Sequence, residues 1–156
     1  MISTKLSDEQ ATPQELFDGL NKIHHFTLDA AANAENTKCA KWFGPGSALR
    51  EDALLEPWPT NERIWLNPPY SHGMQRQFVV RARECAFNGG YVVALLPADT
   101  STKLFHELIY GKHHIEFLKG RIKFNGRPTA AKFGSMLVYF MDRLCCPRPF
   151  RGRVIL

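Results

Sequence analysis

Two consecutive prolines constrain this chain of 156 residues more than any other feature. They stand in Ile64-Trp65-Leu66-Asn67-Pro68-Pro69-Tyr70-Ser71, directly after three apolar residues that read as the end of a buried strand. Neither proline carries an N–H and both have restricted φ, so ladder donation stops here and no helix runs through Asn67. The chain must turn. The carbonyls of the turn are left without ladder partners, and the side-chain amide of Asn67 is held at the carboxyl end of a strand. Asn67 and Pro68 thus offer a rigid pair of acceptors, and Tyr70 offers a flat surface beside them. Such a turn suits a planar exocyclic amine, which has two hydrogens to donate and a ring to stack.

On either side of the turn the pattern alternates between strand and helix. Thr12 as N-cap, Pro13 at N1 and Glu15 at N3 predict a helix start, followed by Leu16, Phe17, Leu20 and Ile23 at helical spacing. Residues 26–32 read as a first strand ending in Asp29, Ala30, Ala31 and Ala32, where small side chains let a ligand approach the backbone. Residues 33–59 form a Gly/Pro-punctuated connection, with Asp52 on a short strand or turn. Downstream, 74–87 predicts a helix with one solvated face, 91–97 a strand buried on both faces, 100–110 a second helix, and 114–118 and 135–141 two further strands. The expected fold is α/β: a minimal Rossmann-like, open, mostly parallel sheet with helices on both faces and an antiparallel last strand. The last strand is antiparallel because the basic loop before it has no helical pattern with which to make a parallel crossover.

Length and composition limit this to one domain over 1–156, with irregular arms at 1–10 and 146–156 and no segment long enough for a separate target-recognition domain. A net charge of +5 permits a polyanionic partner without demanding one. Cys39, Cys85, Cys145 and Cys146 include no C-x-x-C pair, and the pairs His24-His25 and His113-His114 lack i, i+4 spacing, so no metal is expected. The thiols read as reduced and the protein as cytoplasmic. No apolar run approaches the ~20 residues of a membrane span, and no leader pattern opens the chain.

Taken in order, T-P-x-x-L from Thr12, F-T-L-D-A-A from Phe26, E-N-x-K-C from Glu35, D-A-L-x-x-x-W from Asp52, W-L-N-P-P-Y-S from Trp65 and F-L-K-G-R-I-K-F from Phe117 span nearly the whole chain. This series resembles the phage-type DNA N6-adenine methyltransferases, within the amino methyltransferases that carry [DNS]-P-P-[YFW]. The resemblance implies S-adenosylmethionine as methyl donor, DNA adenine N6 as acceptor, a phage or prophage source in a bacterial cell, and a GATC-like site. It implies catalytic roles for Asn67, Pro68, Pro69 and Tyr70, and cofactor contacts from Thr12, Pro13, Asp29, Ala30, Ala31, Asp52 and Asn67. Ser71, Arg121, Lys123, Arg127 and Lys132 are the expected DNA contacts. One departure stands out: the wider D-x-x-x-G-x-G glycines are replaced by Ala30-Ala31-Ala32-Asn33. Methylation of RNA adenine or of a protein glutamine amide fits the same turn, and a non-catalytic DNA-binding relic fits the missing glycines.

Overall fold

The structure, a computed structural model, describes residues 10–71, 73–125 and 127–142. A six-stranded sheet runs through it in the order β2-β1-β3-β4-β6-β5. The strands are β1 (Leu28–Asp29), β2 (Lys41–Trp42), β3 (Arg63–Leu66), β4 (Tyr91–Pro97), β5 (His114–Phe117) and β6 (Ser135–Phe140). Strands β1 to β4 are mutually parallel, with Asp29 beside Trp65 and Leu66 beside Ala94. β6 is antiparallel to both β4 and β5 and lies between them. The antiparallel closing pair is legible in the sequence, and the structure adds that β6 takes the inner place, with every residue buried.

Alternation along the strands divides the core in two. Ile64, Leu66, Val92, Ala94, Leu96 and Val138 face a layer made by α2 (Met74–Phe87) and a π-helical turn (Phe105–Ile109). Trp65, Val93, Leu95, Leu137 and Tyr139 face α1 (Gln14–His24), which buries Leu16, Phe17 and Leu20 against them. Each fully buried Val, Leu, Ile or Phe among them contributes about 1.5–3 kcal/mol by leaving water, so the parallel sheet is secured from both faces. α1 ends where His25 adopts the left-handed conformation (φ 52°) and its N–H donates to Asn21 O.

Several local expectations are revised. Thr12 is not the N-cap: Pro13 precedes the helix, no side chain caps it, and the Thr12 hydroxyl is engaged elsewhere. β1 is two residues long rather than seven, because the chain leaves the ladder after Asp29 to form a turn, with Ala30 N–H still donating to Trp65 O. Lys41–Trp42 is a strand that the sequence does not signal, since two residues of mixed polarity carry no period. The helix expected over 100–110 is shorter, running from residue 103 into a π-turn in which Tyr110 N–H donates to Phe105 O five residues back at 2.8 Å. The widened turn keeps Phe105, Leu108 and Ile109 in the core. Among the described residues no helix is long and apolar enough to cross a membrane.

Candidate active site

The site is assembled at the carboxyl ends of the parallel strands. Asn67 follows β3 and is fixed by three hydrogen bonds. Its Nδ2 donates to Gln10 O at 2.6 Å and to Thr12 Oγ1 at 3.0 Å, and its Oδ1 accepts from the Tyr70 hydroxyl at 3.1 Å. A backbone carbonyl can only accept, so the atom facing Gln10 is the nitrogen and the amide has one orientation. The residues of T-P-x-x-L and N-P-P-Y, far apart in sequence, therefore meet at one side chain. Burial pushes the Tyr70 phenol well above its usual range, which keeps it a neutral donor.

Asp29 ends β1 in the neighbouring position. It is 3% exposed, and its two oxygens accept from Ala31 N–H (3.3 Å) and Lys38 N–H (3.0 Å). Burial raises its pKa to about 6 against the opposing pull of those two amides and of Lys38. In place of the missing glycines, Asn33 and Asn36 build the turn: Asn33 Oδ1 accepts from Glu35 and Asn36 N–H, and Asn33 N–H donates to Asn36 Oδ1. Gly44, with φ 144°, lies so close to this segment that a Cβ would stand 1.8 Å from Ala32 O. Lys38 Nζ reaches Gln14 Oε1 at 2.9 Å and ties the same turn to the first residue of α1. Burial pushes the Cys39 thiol up to about 12, and the side chain packs against the core cluster on the α1 face.

Beside Tyr70 a cleft of about 360 Å³ opens between the ends of β3 and β4. Ser71, Gln75, Arg76, Asp99 and Thr102 give it polar walls, and Leu96, Phe105 and Met136 are among its apolar lining. Arg76 on α2 pairs with Glu107 of the π-turn at 2.6 Å, so the two elements that flank the cleft are joined. On its other side the Tyr70 ring meets Phe124 and Phe133 edge-on, at centroid distances of 6.2 and 5.7 Å. Phe124 belongs to the basic loop. Arg121 and Lys123 alternate outward there while Ile122 and Phe124 are buried, and Lys132 is exposed on the returning limb, which Ala131 N–H pins to Ile122 O.

Of the residues expected from sequence, Thr12, Asn67 and Tyr70 are in direct contact, and Asp29 joins them through the β1–β3 pairing. Ser71 lines the cleft. Asp52 is exposed in the β2–β3 connection, where its Oδ1 accepts from Leu54 N–H at 2.9 Å in a local turn. Sequence reasoning misses Gln10 and Asn125. Gln10 reads as part of the amino-terminal arm, yet its carbonyl faces Asn67, and Asn125 N–H donates to Ala11 O at 3.0 Å. Neither residue type announces such a role, because the Gln10 contact and the Ala11–Asn125 bridge run through main-chain atoms. The rest of that arm and the tail 146–156 lie outside the described residues. Among the described residues no three His, Cys, Asp or Glu side chains gather as a metal site.

With this geometry established, comparison with known proteins is decisive. The profile of the DNA N-6-adenine-methyltransferase (Dam) family matches residues 2–148. The chain belongs to this family. A DNA N-6-adenine-methyltransferase of Escherichia phage T1 is 37% identical over 101 residues, covering 64% of this chain and 40% of the phage protein. The DNA N-6-adenine-methyltransferase of Haemophilus phage HP1 is 32% identical over 133 residues, covering 81% of this chain and 73% of that relative. The match thus spans less than half of the T1 protein and most of the HP1 protein. In this chain the T-P segment and the N-P-P-Y turn meet through Asn67, and the β1 acid stands on the strand paired with β3.

Proposed function

We propose that this protein transfers a methyl group from S-adenosylmethionine to the N6 amino group of adenine in DNA, in the bacterial cytoplasm and from a phage or prophage source. One observation carries the reading: the amide of Asn67 is locked at the carboxyl end of β3 with its carbonyl oxygen beside Tyr70, where one lone pair of Oδ1 is left for an incoming amine. The residues around Asp29 fit the methyl donor. A buried acid, three alanines with small side chains and the carboxyl ends of two adjacent parallel strands form the place where open α/β sheets receive ligands. Thr12, Pro13, Asp29, Ala30, Ala31 and Asn67 border that place, and Asp52 is assigned to it on the resemblance alone. When bound, S-adenosylmethionine supplies the methyl group as an electrophilic sulfonium.

The chain's own residues then have defined tasks. Adenine N6 is a weak nucleophile because its lone pair is delocalised into the ring. Asn67 Oδ1 and the Pro68 carbonyl accept its two hydrogens and hold the nitrogen towards tetrahedral geometry. Pro69 keeps the turn rigid, and the Tyr70 ring receives the base. No strong enzyme base is required before attack, since the nitrogen becomes acidic only once it is alkylated. A duplex hides N6 in the stack, so the base is flipped out at a cost of a few kcal/mol. Ser71, Arg121, Lys123, Arg127 and Lys132 supply contacts to the DNA, mainly to phosphates.

The test is transfer of radiolabel from S-adenosylmethionine to duplex DNA with and without GATC, to single-stranded DNA, to RNA and to protein, followed by nucleoside analysis. Label in N6-methyladenine from DNA is the expected result. Label confined to RNA or to glutamine would reassign the acceptor, and tight DNA binding without transfer would identify a relic.

A further inference from the structure

We propose that Thr12 is a positioning residue for methyl transfer, acting on Asn67: with the Gln10 carbonyl, its hydroxyl locks the Asn67 amide and leaves one Oδ1 lone pair for the acceptor amine. The inference rests on the reading of Asn67 given above. A primary amide has two donor hydrogens and two acceptor lone pairs. Both hydrogens of Asn67 are used, on Gln10 O at 2.6 Å and Thr12 Oγ1 at 3.0 Å, and one lone pair takes the Tyr70 hydroxyl at 3.1 Å. A single position remains, and it lies on the oxygen. Thr12 is itself immobilised. It is 2% exposed, its carbonyl accepts from Asn125 Nδ2 at 3.5 Å, and the residue before it forms an antiparallel bridge with Asn125. The neighbouring Pro13 carbonyl starts α1 by accepting from Phe17 N–H at 3.2 Å. A helix-capping role for the hydroxyl is absent, because no side chain caps α1. What the hydroxyl does instead is receive Asn67.

Removing that acceptor leaves a half-buried N–H without a partner, and an amide rotation that recovers one would turn the oxygen away from the acceptor site. Thr12→Val keeps the shape and removes the hydroxyl, while Thr12→Ser keeps the hydroxyl. The experiment measures kcat and KM for DNA, calorimetric binding of S-adenosylmethionine, and the side-chain amide protons of Asn67 by ¹⁵N NMR. The expected result for Thr12→Val is a fall in kcat of about 10- to 100-fold, a change in methyl-donor binding smaller than that fall, and faster exchange of one Asn67 amide proton. Thr12→Ser should restore all three, and Thr12→Ala serves as a second hydroxyl-free variant should valine not fold. An unchanged kcat with tenfold weaker donor binding would make Thr12 a cofactor contact and overturn the proposal. If the wild-type protein transfers no methyl group, the functional reading falls by itself. The lock is still decided by the amide protons, whose unchanged protection in the hydroxyl-free variants would overturn it.

Discussion

The two ends of the sheet are built from the same elements and differ in how completely their polar groups are used. At the amino end, α1 finishes against the starts of β3 and β4. There the His24 ring and the Tyr91 hydroxyl are 2.7 Å apart, Arg63 Nε donates to the His24 carbonyl, and the Arg63 guanidinium stacks 3.8 Å over the Tyr91 ring. Burial, then the charges of Arg63 and His25, lowers the His24 pKa to about 4, so the ring is neutral and packed between Phe26 and Tyr139. At the carboxyl end, α1 begins against the turn after β3, and Asn67 has all but one of its positions filled. Closed networks hold a fold together; a network short by one partner, beside a cleft, can receive a substrate.

The sharpest way to break this comparison is Asn67→Ala. Loss of one positioned acceptor is expected to lower kcat by ~100- to 1,000-fold, on the scale found for single oxyanion-hole donors, with S-adenosylmethionine binding nearly intact. Single-turnover kinetics with calorimetry measure both. Activity within a few-fold of wild type would remove Asn67 from the mechanism and leave the two ends equivalent.

A second effect, of similar size, appears in stability against pH. Asp29 has a folded-state pKa raised to about 6 from 3.8, so its contribution to stability is greatest below pH 4 and is lost as pH rises towards 6. His24 has a folded-state pKa lowered to about 4 from 6.5, so its contribution is present above pH 6.5 and is lost as pH falls towards 4. At about 1.4 kcal/mol per pH unit each limb spans roughly 3 kcal/mol, and between pH 4 and 6 the two oppose each other. Wild-type urea denaturation should therefore give a shallow profile in that window. Asp29→Asn removes the descending limb, and its stability should rise with pH from 4 to 6.5. A variant profile as flat as wild type would show that the two groups do not titrate as their surroundings imply. The same variant is expected to weaken donor binding even without DNA.

Tyr91→Phe comes next in size. It leaves His24 Nδ1 buried without its hydroxyl partner, at a cost of about 1–3 kcal/mol, and kcat should stay within twofold of wild type. A variant that loses activity while its urea midpoint is unchanged would place the amino end in the mechanism.

The contrast between the ends also explains what the sequence disclosed. Strand period, the apolar run of β4 and the break at Pro68-Pro69 were readable because each is a local signal with a direct physical cause. Asn67 and Tyr70 could be singled out by the same logic. The two-residue strands β1 and β2 could not be delimited, because their existence depends on pairing partners: Lys41 with Leu28, and Leu28 with Ile64. Thr12 reads locally as a helix cap, and that reading fails because Asn67, 55 positions away, takes its hydroxyl. Asn125 lies in the basic loop, where Arg127 N–H donates to Phe124 O across it. Its bridge to Ala11 is invisible in either segment alone.

That bridge sets up the smallest of the expected effects, which concerns DNA. Asn125 joins the segment that holds Asn67 to the loop that carries Arg121, Lys123, Arg127 and Lys132. The loop's apolar residues Ile122 and Phe124 fix its base in the core, while Arg121 and Lys123 point outward and Lys132 is exposed. On the proposed function, cations carried on this base would position a duplex through its phosphates without reading its sequence. Replacing both Arg127 and Lys132 by alanine should weaken DNA binding and reduce the slope of log K against log salt by roughly 0.9 for each phosphate no longer neutralised. The drop in affinity should consequently be larger at 50 mM salt than at 200 mM, while binding of S-adenosylmethionine is unchanged. Fluorescence anisotropy across a salt series measures the slope directly. A double variant with the wild-type slope would exclude this pair from the footprint and move attention to Arg121 and Lys123 on the outgoing limb.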